Sequence, residues 1–375
     1  MATPLKQSGQ LWSIVLTAGD GTRVDPFVSR WLGRPLPKEY CAFVGARSMF
    51  QHTLDRAVQI SPAQRLIAVV AREHRQEAFQ QLDRRTVGAL LLQSLHQGTA
   101  ASVFLPLTYL RERDPEATVV VFPSDHFVYP EDRFLSHVKR AVALSTSFPD
   151  RLILLGAAPD RLELDYGWIQ PRSPLPPVPG DDLRAIQSLM ERPTLAEADD
   201  LLQAGGLWNT RAFVAKVRTL WDIGWACIPH LMPHFERLGQ AIGCPNETLE
   251  LEAISRKAVA VEFSELLQQV PDRLAVLELT GVLWSEWNKP ERIAETLRRI
   301  DRQPAFPLTC LGHPFIPLAR PVTESRASLM TPSTGEEINA IAEQALYQAR
   351  TKFLAVAPAG PDQSPSAAIG QAGSS

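Results

Sequence analysis

LWSIVLTAGDGTR, residues 11–23, joins a run of strand-forming residues to a glycine-rich turn. Leu11 to Thr17 is short, rich in branched side chains and apolar on both faces, the pattern of a strand covered from above and below. Gly19 and Gly21 then permit a tight turn that aims backbone N–H groups at an anion. Thr22 and Arg23 add donors, and a guanidinium, always charged and able to bind through two N–H groups, suits a polyphosphate. Asp20 would repel a phosphate unless it points outward. The run is neither G-x-x-x-x-G-K-[ST] nor G-x-G-x-x-G, which excludes the two commonest nucleotide fingerprints.

The alternation continues downstream. Strands are predicted at 65–71, 88–93, 117–123 and 151–157. Helices are predicted at 49–60, 73–82, 99–111 (interrupted or bent at Pro106) and 131–145. Apolar strands, each followed by a helix, imply an α/β fold: a Rossmann-like, mostly parallel sheet with helices on both faces. Ligands of such sheets bind beyond the carboxyl ends of the strands, so the loops after Thr17, Gln93 and Pro123 should carry the chemistry. Residues 160–206 are less regular and include a Pro-rich excursion at 173–180. A helix is expected at 289–299, with Pro290 in its first turn. The expected domains are a main unit of residues 1–300 and a small, mainly helical C-terminal extension of 301–355, its last helix near 335–353. Residues 356–375 read as a disordered tail.

Composition narrows the function classes. The 375 residues are 45% hydrophobic and 21% charged, which excludes a wholly disordered or collagen-like chain. Lys and Arg number 38 against 41 Asp and Glu, a net charge of −3, so bulk charge does not hold this chain to nucleic acid. Cys41, Cys227, Cys244 and Cys310 form no C-x-x-C pair, which argues against a zinc ribbon or a disulfide scaffold. The N-terminus has no signal-peptide shape, and its first apolar run is about half a membrane span. The expectation is a cytoplasmic protein with no membrane partner. His230 and His234 have ligand spacing, but Pro233 lies between them and no glutamate completes a zinc helix.

LTAGDGTRVDPFVSR, PKEY and SMFQHTLDRA together resemble the opening of the sugar-1-phosphate nucleotidyltransferases, most of all the mannose-1-phosphate guanylyltransferase branch. HQGTAAS, VVVFPSDHFV, LLGAAPDRLELDYGWI, ERP, LWNTRAF and GVLWSEWNKPERI continue the likeness in order, over roughly residues 11–297. The resemblance implies the nucleotide-diphospho-sugar transferase fold. It also implies nucleotide contacts from Thr17, Ala18, Gly19, Gly21, Thr22, Gln93, Gln97, Gly98 and Thr99. Arg23 and Lys38 would be catalytic, neutralising the departing pyrophosphate and the α-phosphate. Asp125 and Glu286 would hold Mg²⁺, and Tyr166, Gly167, Glu191, Arg192 and Asn209 would bind the sugar phosphate. His126 reads as structural.

The implied reaction joins a nucleoside triphosphate, GTP favoured, to a hexose 1-phosphate, mannose 1-phosphate favoured. Several residues depart from the family pattern: Ala18, Asp20, Arg211, Glu262, Glu286 and Asn288, and Arg192 replaces a lysine. Arg211 is bulky beside a sugar pocket. These departures keep two alternatives open. One is a silent homologue that binds nucleotide or nucleotide sugar and regulates a partner. The other is an enzyme that uses UTP, CTP or dTTP with another sugar phosphate. Homo-oligomer formation is also left open.

Overall fold

In a computed structural model of the chain, the described residues are 9–17, 24–82, 85–93, 98–176, 183–257 and 261–311. Ala18, Gly19, Gly21, Thr22, Arg23 and Gln97 lie outside them, as do the predicted helix at 335–353 and the tail. Eleven strands are present among the described residues. They are β1 (Leu11–Thr17), β2 (Leu66–Ala71), β3 (Ala89–Gln93), β4 (Thr118–Pro123), β5 (His126–Tyr129) and β6 (Leu152–Ala157). The series continues with β7 (Gly167–Pro174), β8 (Arg184–Glu191), β9 (Leu207–Lys216), β10 (Leu274–Glu278) and β11 (Leu283–Glu286).

Nine strands form one sheet in the order β3-β2-β1-β4-β9-β6-β10-β8-β7. β1 is parallel to β2 and β4, and β2 to β3, as the strand–helix alternation predicts. β6 and β10 are also parallel. β9, however, runs antiparallel between β4 and β6, and β8 is antiparallel to both β10 and β7. The sheet is therefore mixed, with β8 and β9 running against the other seven strands. The cause lies in the irregular stretch after residue 160. β7 and β8 pair with each other through a short connection, which an antiparallel pair allows and a parallel pair does not. Pro171 and Pro174 break the register of β7, so its period-two signal is lost.

Apolar residues cover both faces. On one side lie Phe27, Phe43, Phe50, Trp168, Trp208 and Trp284; on the other Trp12, Phe104, Leu107, Trp221, Phe235 and Phe263. The helix Gly98–Arg113 is buried from Ala100 to Leu110 and keeps Pro106 inside it, so packing on the sheet outweighs the lost backbone bond. The helix Met49–Ala57 starts at a reciprocal cap: Ser48 Oγ accepts from the Gln51 N–H, and Gln51 Oε1 accepts from the Ser48 N–H, both at 3.1 Å. No helix among the described residues is long and apolar enough to cross a membrane.

Candidate active site

The carboxyl ends of β1, β3 and β4 meet at one edge of the sheet. Three buried polar atoms there, Thr17 Oγ1, Gln93 Oε1 and Ser124 Oγ, have no hydrogen-bond partner among the described residues. Leaving such a group unmade costs about 1–3 kcal/mol, so three together mark a place where polar ligand atoms belong. Beside them is a cavity of about 190 Å³ reached by Leu16, Ser124, Asp125, Asn209, Arg211 and Phe263.

A small ribbon builds the charged part. β5 and β11 pair antiparallel with Glu286 opposite His126, and the Trp287 N–H donates to the Asp125 carbonyl at 3.2 Å. Trp287 stacks on Phe127 with centroids 4.6 Å apart, and His126 meets Trp284 edge-on at 5.1 Å. Residues 125 and 286 are thus neighbours because two four-residue strands zip together. Ligand atoms of Asp125, His126 and Glu286 all lie within 4.8 Å of one another. Two carboxylates suit a hard divalent cation, and burial keeps the His126 imidazole below its ordinary pKa, hence neutral and able to coordinate. The donor set therefore fits the implied metal.

Lys38, in the short turn Lys38–Tyr40 that follows Pro37, is 5% exposed. Its ammonium donates to Asp125 Oδ2 at 2.8 Å and also to Asn288 Oδ1. Burial alone would lower its pKa, but Asp125, Glu39 and Glu286 outweigh burial and hold it above the ordinary lysine value. Burial likewise opposes ionisation of Asp125, yet Lys38, His126 and Arg211 keep it well below the carboxylate range. Asn288 also donates to Glu286 Oε1, so one amide ties the lysine to the second carboxylate. The Glu286 backbone is clamped by Tyr166: its N–H donates to the Tyr166 hydroxyl at 3.1 Å.

Among the residues expected at the sugar phosphate, Gly167 pairs with Glu191 across β7 and β8. A Cβ at Gly167 would stand 2.6 Å from Glu191 Oε1, so a larger residue there would push that carboxylate aside. Asn209 is buried, and its Oδ1 accepts from the Arg211 N–H at 2.9 Å. The Arg211 guanidinium reaches Glu191 Oε2 at 3.1 Å and Glu286 Oε1 at 3.7 Å.

The structure thus brings Lys38, Asp125 and Glu286 together and joins them to Glu191 and Asn209 through Arg211. Four other expected residues stand apart from that cluster. Tyr166 is 1% exposed, packed behind Glu286 between Trp208 and Trp284. Arg192 is exposed. Thr99 Oγ1 donates to Glu262 Oε2 at 2.7 Å and accepts from the Phe263 N–H at 2.8 Å, and Gly98 packs against Val261. Residues 261–263 therefore lie across the start of the helix Gly98–Arg113. Sequence reasoning gave no positive role to Arg211, Asn288 or His126. The signal for the first two was their departure from the family pattern; for His126 it was only adjacency to Asp125.

Residues 12–224 match the family described as nucleotidyl transferase. The chain is similar to the xanthan biosynthesis protein XanB of Xanthomonas campestris pv. campestris (strain B100), with 30% identity over 206 residues, 54% of this chain and 41% of that protein. A mannose-1-phosphate guanylyltransferase of Sinorhizobium fredii (strain NBRC 101917 / NGR234) is 26% identical over 210 residues, 55% of this chain and 39% of that protein. The chain thus spans about two fifths of the length of these curated relatives. Among solved structures, mannose-1-phosphate geranyltransferase from Thermus thermophilus superposes with a TM-score of 0.64 at 21% identity, covering 78% of this chain and 79% of that one. That likeness is one of fold.

Proposed function

The chain belongs to the nucleotidyl transferase family, and from that premise we propose that it transfers a nucleotidyl group from a nucleoside triphosphate to a hexose 1-phosphate. GTP and mannose 1-phosphate are the preferred pair. The guanylyltransferase relative supports both, as do the motifs shared with that branch. The observation that carries the reading is the meeting of Lys38, Asp125 and Glu286. They come from three separate parts of the chain and converge near the strand ends, where the hydroxyls of Thr17 and Ser124 and the amide oxygen of Gln93 have no hydrogen-bond partner among the described residues.

An oxygen of the sugar phosphate attacks the α-phosphorus in line. The new P–O bond forms as the bond to the β-phosphate oxygen breaks, and pyrophosphate leaves with that electron pair. The attacking oxygen is already anionic, so no strong base is needed. Lys38 is charged throughout the working range and offers its ammonium to the oxygens that gain charge. Asp125 and Glu286 would hold Mg²⁺, with His126 at hand. A bound Mg²⁺ supplies charge neutralisation at the phosphates. Glu191 and Asn209 orient sugar hydroxyls. Residues 1–300 would form the catalytic unit, with 301–355 as its extension.

The test is pyrophosphate release across five nucleoside triphosphates and several hexose 1-phosphates. A signal confined to one pair is expected, falling by at least about 100-fold in Asp125→Asn, the scale of removing one preorganised charge. Normal turnover in a folded Asp125→Asn protein would remove that carboxylate from the mechanism. One observation favours the silent homologue: Lys38 and Arg211 already pair with Asp125 and Glu286. Nucleotide binding by calorimetry with no turnover across the grid would establish that reading.

A further inference from the structure

Arg211 occupies a backbone position that side chains rarely take. Its φ is 56°, inside the left-handed region, which costs a residue other than glycine about 1–2 kcal/mol. It lies where β9 slips register against β6, so its side chain leaves the regular ladder. Two neighbours brace the irregularity. Asn209 Oδ1 accepts from the Arg211 N–H at 2.9 Å, and Thr210 Oγ1 accepts from the Ala212 N–H at 3.3 Å. A strained residue held this firmly signals use of its side chain.

That side chain crosses the site. The guanidinium lies 3.1 Å from Glu191 on the sugar side and 3.7 Å from Glu286 on the metal side. Burial opposes its charge, but Glu286, Glu191 and Asp125 outweigh it, so the cation is permanent. Its one hydrogen bond among the described residues goes to Glu191, and a guanidinium carries five N–H donors. Arg192, in the position of the family's lysine, is exposed instead.

Resting on the proposed transfer reaction, we propose that Arg211 is the cation that binds the phosphate of the hexose 1-phosphate in this chain. The sugar must span from the hydroxyl-accepting Glu191 to the reacting phosphate beside Glu286, and Arg211 stands between those two carboxylates. When the sugar phosphate enters, the guanidinium exchanges Glu191 for the phosphate. A planar fork binds phosphate through two N–H groups, and Glu191 is freed to accept from the sugar.

The experiment compares Arg211→Gly, Arg211→Lys and Arg192→Ala with the wild type. Glycine accepts the left-handed backbone, so the first variant should fold, which urea denaturation checks. Steady-state kinetics gives KM for mannose 1-phosphate and for GTP separately. Calorimetry gives direct binding of mannose 1-phosphate. In Arg211→Gly the sugar-phosphate KM should rise by about 10- to 100-fold, the range for one lost charge-assisted contact, with the GTP KM changed less than about 3-fold. Arg211→Lys should recover part of the loss, and Arg192→Ala should have the smaller effect. An unchanged sugar-phosphate KM in Arg211→Gly, or a larger rise in Arg192→Ala, would overturn the assignment and leave the transfer reaction standing. If no pair turns over, calorimetry decides: mannose 1-phosphate binding lost in Arg211→Gly supports the assignment without the reaction, and no binding by the wild type overturns both.

Discussion

Glu286 owes its position to its neighbours. Its N–H donates to the Tyr166 hydroxyl, which donates in turn to the Glu286 carbonyl at 3.4 Å, and Arg292 reaches the same carbonyl at 3.3 Å. Burial pushes the Tyr166 phenol up to about 12, so it stays a donor at any working pH. Asn288 then holds the carboxylate, whose extra methylene over aspartate would otherwise leave it loose. Tyr166→Phe removes the acceptor of a buried N–H and should lower stability by about 1–3 kcal/mol, read as a shift in the urea midpoint. It should also raise the Mg²⁺ concentration needed for half-maximal turnover more than the KM for the sugar phosphate. A selective rise in the sugar KM would place Tyr166 against the sugar instead. Lys38, Asp125 and Glu286 were legible as single residues through the motifs of the resemblance, and Asp125 also because it stands just beyond a predicted strand. Their partners were not. Lys38 meets residues 87 and 250 positions away, and nothing local in Asn288 says that its amide fills the gap between a lysine and a glutamate.

At the scale of elements, legibility followed length and pattern. Leu11–Thr17 is a strand over the residues expected, and Pro290–Arg299 is the expected helix with its proline at the start. Strands of four residues, HFVY and LWSE, are too short to show a period, so the ribbon that seats Asp125 and Glu286 was invisible. Residues 301–311, the start of the expected extension, pack on the main core, where Phe306 is 3% exposed. Its ring meets Phe27 edge-on at 4.8 Å and Trp31 at 5.6 Å, and the Ala305 N–H donates to the Phe43 carbonyl at 2.8 Å. Phe43 in turn meets Trp287 at 5.7 Å, which links this cap to the ribbon. Phe306→Ala should therefore cost about 3–5 kcal/mol, the range for emptying a buried phenylalanine site. Urea denaturation reads it, and a loss near zero would show that the cap is dispensable to the core.

Across the whole molecule, 38 basic and 41 acidic residues nearly cancel, so the response to pH is set by individual buried groups and not by net repulsion. His52 and His126 act in the same direction. Burial, then Arg47 and Arg56, lower the pKa of His52 below its ordinary 6.5, and burial does the same to His126. Below that value the unfolded chain takes up protons that the folded histidines refuse. Their contribution to stability is complete above pH 6.5 and is lost as the pH falls toward the folded values. Asp125 adds a second stage. Its folded pKa lies below the ordinary 3.8, so its contribution is full above 3.8 and disappears on further acidification. The urea midpoint should thus fall from about pH 7.5 to about pH 5, before any carboxylate titrates appreciably. His52→Gln should shrink that fall while leaving the neutral-pH midpoint close to wild type, because the protein no longer excludes a proton there. Parallel falls in the two proteins would move the acid sensitivity to His126, in the ribbon that seats Asp125 and Glu286.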